Sequence, residues 1–235
     1  MRSSYKILLL LPLLSILCKK PDLPTPTASD ILSVNVVENN VPADNYSYAL
    51  ITAAVDNAIV DTTNTVTFTT DLGQFSTGGT TYTTTFDLQG VQGVASAYLK
   101  ATSPQTAHIK VTVGVNYSQS VTVLFTPSWP DTLYINTVAS ATNALSTRVD
   151  IMVQLYKAEG LITPGLLVNM SATDSAGKTI GSFTNIKPSD TSGGATGQFW
   201  LQDTTYTGFV NIQAKLSETN NKVLQTVNKI LYVKQ

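Results

Sequence analysis

Histidine and cysteine are nearly missing from this sequence, with one of each in 235 residues. A Ser-His-Asp relay would have to be built on His108, and a zinc site, which needs several His or Cys ligands, cannot be assembled. One cysteine excludes an intrachain disulfide. Charge is scarce as well, at 12% of residues, against about 25% in ordinary soluble domains. Lysine and arginine number 14 against 15 aspartates and glutamates. They form no basic patch interleaved with aromatics, so nucleic acid is not an expected partner. The apolar run Ile7–Leu17, broken only by Pro12 and Ser15, is about half the ~20 residues that a membrane-spanning helix needs. No segment repeats apolar residues at helical spacing, so helical folds are not expected.

Threonine, serine, asparagine and glutamine fill the space left by charge. The stretch Val66-Thr-Phe-Thr-Thr-Asp-Leu-Gly-Gln-Phe75 shows what they build. Val66 and Phe68 alternate with Thr65, Thr67 and Thr69, a period of two that puts Val and Phe on a core face and threonine on a wet face. Gly73 then breaks the strand. A related stretch begins at Val168, 102 positions on, which sets Phe68 against Met170. At that offset Ile51, Ala53 and Val55 fall on Val153, Leu155 and Lys157, Val36 falls on Val138, and Val66–Leu99 answers to Val168–Leu201. The register slips later, where Ile109 meets Asn211. A period near a hundred residues implies repeated domains rather than solenoid repeats of roughly 20–50.

Short alternating strands separated by turn residues indicate β-sandwiches. Strands are expected at 31–37, 47–55, 65–70, 80–86, 94–101, 107–115 and 120–126. A second set is expected at 132–138, 148–156, 166–172, 179–186, 197–202, 209–216 and 224–233. Val41–Asn45 reads as a turn, and Asp87–Gly93 as a loop. The expected architecture is all-β: sandwiches over residues 30–127 and 128–235, joined at Pro127-Ser-Trp-Pro130. Trp129 is the large apolar residue placed to pack between the modules; the alternative is a partly exposed linker tryptophan.

Residues 1–17 read as an export signal, with Arg2 and Lys6 ahead of the apolar run. Leu14-Ser-Ile-Leu-Cys18 resembles a bacterial lipobox, with Leu17 where Gly, Ala or Ser is usual. The resemblance implies diacylation of Cys18 and membrane attachment through lipid. Lys19-Lys20 resembles lipoproteins carried onward to the outer membrane, so a lipid-anchored place at the cell surface is expected. Residues 18–29 supply the lipidated cysteine and a Pro-rich tether through Pro21, Pro24 and Pro26, extended at roughly 3.1 Å per residue.

The modules resemble the bacterial immunoglobulin-like domains of group 1, found in invasin and intimin stalks. The first matches through Ala49–Val55, Val66-Thr-Phe68 with Gly73 and Phe75, Asp87 with Gly93, Ala95 to Leu99, and Val121-Thr-Val-Leu-Phe125. It departs in the length of Asp87–Gly93. The second matches less closely: Val168 and Met170 stand where Val and Phe are usual and Ile180-Gly-Ser-Phe183 comes late, while Asp190, Gly194 and Leu201 keep the turn and strand. The resemblance implies two tandem immunoglobulin-like sandwiches used as rigid spacers, with no catalysis and no cofactor.

Remaining candidates are weak. His108 precedes the inward Ile109, Val111 and Val113, so it points outward beside Lys110. Asp56, Asp61 and Asp71 lie near loops and carry oxygen ligands suited to calcium; solvated loop aspartates are the plainer reading, and no metal site is expected. Paired carboxylates for glycoside cleavage form no motif. Tyr46, Tyr48, Tyr82 and Tyr98 offer a sugar-stacking platform if they share one face, or ordinary sheet-face tyrosines if scattered. The expected role is that of a surface spacer or adhesion module with a protein or glycan ligand. The alternative is a carbohydrate-binding accessory lipoprotein.

Overall fold

A computed structural model of the chain describes residues 31–56, 65–114, 117–137, 141–143, 148–203, 205–218 and 223–234. The export signal, Cys18 and the tether lie outside the described residues, as do Asp61 and Val138.

Among the described residues ten strands make the first sandwich: β1 (Leu32–Val36), β2 (Val41–Pro42), β3 (Ala49–Asp56), β4 (Thr65–Thr70), β5 (Gln74–Phe75), β6 (Thr81–Thr85), β7 (Asp87–Gln89), β8 (Gln92–Lys100), β9 (Thr106–Val113) and β10 (Tyr117–Thr126). One sheet runs β1-β3-β8-β5, with β7 also on β8; the other runs β2-β10-β9-β4-β6. Alternation drives the packing. Val66 and Phe68 are fully buried, whereas Thr67 faces outward and shares a hydrogen bond with Thr83 across the sheet. Phe68 lies near Phe75 and Tyr82, with ring centroids 6.3 and 6.2 Å away. Phe125, Leu99, Ile51 and Ile109 complete the same core.

Eight described strands make the second sandwich: β11 (Thr132–Thr137), β12 (Ala141–Asn143), β13 (Val149–Tyr156), β14 (Val168–Thr173), β15 (Ser182–Lys187), β16 (Gly194–Trp200), β17 (Gly208–Ser217) and β18 (Val223–Lys234). Its sheets are β11-β13-β16-β15 and β12-β18-β17-β14. Ile151, Leu155, Phe199, Ile212 and Leu216 fill a core that shares no residue with the first. The all-β, two-sandwich architecture expected from the alternation is the one observed, and it is the tandem immunoglobulin-like arrangement that the resemblance implies.

Three details correct the sequence reading. Val41-Pro42 is a strand rather than part of a turn: it pairs parallel with the end of β10, Phe125 opposite Val41. The chain thus leaves one sheet after β1 and joins the other at β2. Asn39 holds the crossing, its side-chain oxygen accepting from Leu124 N at 2.7 Å, and Asn40 sits at φ 68°, a conformation asparagine tolerates better than most residues. Proline fits β2 because an edge strand spares its missing N–H.

Second, Asp87–Gly93 is not a loop. Asp87 pairs with Val94 and Gln89 with Gln92, closing a hairpin over Gly90-Val91. Third, the repeat has no single offset. Sheet register equates Val66 with Val168 and Phe68 with Met170, since Phe68 faces Val111 and Met170 faces Ala214 at matching places. Ile51, however, is equivalent to Ile151 and Ala53 to Val153, 100 positions on, because β3 and β13 run over Ala49–Asp56 and Val149–Tyr156. Leu99 answers to Phe199 rather than Leu201, and Ile109 to Ile212. Loops of unequal length shift the register between strands and leave the pairing intact.

Candidate functional site: the contact between the sandwiches

The two cores meet through a polar contact built from three short segments. The first is the turn after β2. Asp44 is 2% exposed, and its carboxylate holds the turn: Oδ1 accepts from the Tyr46 and Ser47 amides at 2.9 and 2.7 Å, and Oδ2 from the Ser47 hydroxyl at 3.0 Å. An aspartate that folds its own backbone back in this way is a turn device. It leaves the Asp44 carbonyl pointing outward.

The second segment is the connection from β13 to β14. Leu161 N donates to the Asp44 carbonyl at 2.7 Å, across the two sandwiches. Gly160, at φ +78°, lies so close that an added Cβ would sit 2.9 Å from Asp44 Cβ, Asp44 O and Tyr46 Cβ. Both conditions demand glycine: the left-handed backbone and the absent side chain. Glu159 lies beside the Tyr46 hydroxyl, and its charge and hydrogen bond hold that phenol above its usual range.

The third segment is Pro127–Pro130. Ser128, buried, donates its amide to Thr163 Oγ1 at 2.8 Å and accepts from Thr163 N at 3.1 Å. The linker is therefore stitched to the same loop that reaches Asp44. Trp129 packs, half-buried, against the second core, and Pro130 is buried. The contact across the sandwiches is carried by Gly160 and Leu161 rather than by an intercalated tryptophan. Residues 158–165 fall between the strands expected at 148–156 and 166–172, and the sequence alone gives them no role. Gly160 beside Glu159 was the available signal, and nothing local distinguishes it from any other turn glycine.

The other candidates do not converge. His108 lies on an outer sheet face, with Nδ1 2.8 Å from Asp71 Oδ2 and its amide donating to Asp71 Oδ1 at 2.7 Å. Those bonds, the backbone one foremost, draw the Asp71 carboxyl below the usual carboxylate range. Asp71 thus spends both oxygens on its neighbour strand. Asp190 and Asp203 are likewise drawn down by hydroxyl and amide donors of Ser192 and Thr205 in their own turns. Asp56 ends β3. Among the described residues, no group of three or more His, Cys, Asp or Glu could hold a metal ion.

The four tyrosines divide among different places. Tyr48 and Tyr98 pack edge-to-face at 6.2 Å, with the Lys100 ammonium 5.6 Å from the Tyr48 ring. Tyr46 sits at the contact, and Tyr82, opposite Phe68 in its own sheet, packs on Phe68 and on Phe75 of the facing sheet. A groove of about 740 Å³ on the second sandwich, beside the bulge in β15, is lined by Asp150, Met152, Lys187 and Gln198 among others and by no aromatic ring. These four tyrosines therefore do not share one stacking face.

No family model matches the chain, and no curated protein matches it. Solved structures do. Invasin, a bacterial integrin-binding protein, is similar at a TM-score of 0.59 and 17% identity, over 86% of this chain and 39% of that one. The adhesin InvE of Yersinia pseudotuberculosis is similar at 0.51 and 17% identity, over 86% of this chain and 60% of that one. The chain therefore spans less than two thirds of either of those chains. At such identities the likeness is one of fold, that of tandem immunoglobulin-like sandwiches.

Proposed function

We propose that this chain is a non-catalytic cell-surface lipoprotein whose two immunoglobulin-like sandwiches serve as a stiff spacer or adhesion module. The observation that carries the reading is the contact between the sandwiches. A mere tether would leave the loop after β13 free, whereas here Gly160 and Leu161 seat it on Asp44. Fixed backbone contacts of this kind restrict bending between modules, which is what a spacer requires. The two neighbours, an integrin-binding protein and an adhesin by name, favour a place at the cell surface and a protein ligand there.

Attachment is assigned to acyl chains on Cys18, directed to the outer membrane. Among the described residues, no helix is long and apolar enough to cross a membrane. Lipid contributes roughly 0.8 kcal/mol per buried CH₂, and two chains hold a protein firmly. Cys18→Ser is expected to move the protein from the membrane fraction to the soluble fraction and to abolish palmitate labelling. Protease added to intact cells is expected to degrade the wild-type protein. A Cys18→Ser protein that stays in the detergent phase sinks the anchor, and a wild-type protein that survives the protease sinks the outward placement.

A further inference from the structure

Charge is scarce in this chain, so its placement is informative. The described strands of the sheet β11-β13-β16-β15 contain two charged residues, Asp150 on β13 and Lys187 on β15. Both line the groove of about 740 Å³ on the second sandwich, a volume in the range of small-ligand sites. Two smaller concavities, of about 480 and 180 Å³, hold one charged side chain each, Glu38 in the first and Lys157 in the second. The larger groove differs from both in carrying the two signs together. Among the described residues the one ion pair is His108–Asp71, so within them Asp150 and Lys187 stand unpaired.

Register sets the distance between them. Asp150 pairs with Gln198 and Met152 with Thr196, and Thr196 pairs on its other side with Lys187. Asp150 and Lys187 are therefore two strands and two residues apart, roughly 12 Å between Cα atoms by ordinary sheet spacing. Side chains fix the carboxylate. Gln198 Nε2 donates to Asp150 Oδ1 at 2.9 Å, and Asn185 Nδ2 donates to Gln198 Oε1 at 2.8 Å. Asn185 belongs to the bulge of β15, at φ 52°. Bulges re-aim side chains, and a non-glycine residue at positive φ is uncommon. This relay uses one oxygen of Asp150 and leaves Oδ2 for another donor. Between the two charges lie the exposed Met152 and Ile186, and methionine is flexible enough to fit apolar groups of varied shape.

We propose that this groove binds short zwitterionic peptides, with a free ammonium end on Asp150 Oδ2, a free carboxylate end on Lys187 Nζ and an apolar side chain over Met152 and Ile186. Charge complementarity selects that occupant. An anion would be repelled by Asp150, a cation would be repelled by Lys187, and a wholly apolar ligand would strip water from both without replacing it. A three-residue peptide, at most roughly 10–11 Å long when extended, is matched to the spacing of the two side chains. The site uses neither the anchor nor the joint, so it stands or falls apart from the spacer reading.

The test is a titration of the purified full chain, in a non-ionic detergent, with the tripeptide Ala-Leu-Ala, followed in two-dimensional amide spectra. Wild type is expected to bind at millimolar concentrations, with shifts centred on Met152, Gly197 and Gln198. Acetylating the amino end of the peptide, or amidating its carboxyl end, is expected to weaken binding roughly threefold in each case, the scale of an exposed ion pair. Asp150→Asn keeps an acceptor for Gln198. It is expected to weaken the free peptide by the same factor and to leave the acetylated one unchanged. Lys187→Gln is expected to weaken the free peptide likewise and to leave the amidated one unchanged. A general loosening of the groove would instead weaken all three peptides together. Absence of shifts at these residues up to tens of millimolar peptide overturns the proposal. So do blocked peptides that bind as well as the free one, or variants that weaken free and blocked peptides alike.

Discussion

Phe68 and Thr67 are adjacent and have opposite surroundings. Phe68 is fully buried between the sheets, while Thr67 faces outward and shares a hydrogen bond with Thr83. Phe68→Ala removes a ring that also supports Phe75 and Tyr82 and is expected to cost about 3–5 kcal/mol. Thr67→Ala is expected to cost within about 1 kcal/mol. Urea titrations of the two variants check this, and equal losses would mean that the faces of β4 are misassigned. Aspartates act at the same scale. Asp71, Asp190 and Asp203 are each held below the ordinary carboxylate value of 3.8 by donors in the folded chain. A carboxyl lowered by folding stabilises the fold in full above its unfolded value, and loses that contribution as pH falls through the lowered value. Thermal midpoints are thus expected to hold steady down to about pH 4 and fall below it. Asp190→Asn, which keeps an acceptor oxygen but does not titrate, is expected to flatten part of that acid limb. An unchanged acid limb would remove Asp190 as a contributor.

Most strands were legible because one face of each is buried, and alternation records that face directly. β3, β4, β9 and β13 all follow it. Elements that were missed are those whose pairing is set from a distance. β2 is two residues long, too short for any period, and exists because Asn39 and the end of β10 capture it. β7 is exposed along its whole length, so it carries no alternation to read. The uneven repeat has the same origin. Sequence offset adds up loop lengths, whereas sheet register ignores them, so an offset that matches Phe68 to Met170 misplaces Ile51. Gly73 shows the opposite case, where a local signal had a local cause. It adopts φ +83° against the Lys100 carbonyl, and a side chain there would run into that oxygen. Turn glycines announce themselves; the site at Gly160 did not, because its requirement comes from Asp44 and Tyr46 in the other sandwich.

At the scale of the molecule, the question is what holds one sandwich against the other. Trp129 between two prolines suggests a hydrophobic wedge, but it packs on the second core. Its loss should therefore register as instability of that sandwich. Contact with the first sandwich falls to Gly160 and Leu161, where there is room for a backbone and nothing more. Gly160→Ala asks for a methyl group within 2.9 Å of three atoms of the first sandwich and for a left-handed backbone that alanine resists. The least costly response is to part the two modules, since each keeps its own core. Small-angle scattering is expected to show an elongated particle of limited flexibility for wild type, and a broader spread of separations for Gly160→Ala. Thermal unfolding of each sandwich should stay nearly where it was in that variant. Trp129→Ala should reverse the pattern, lowering the unfolding of the second sandwich while the scattering profile keeps its form. A compact side-by-side pair in the wild type would defeat the spacer. A Gly160→Ala profile identical to wild type would show that the joint is held elsewhere, with the buried Ser128–Thr163 pair as the next place to cut.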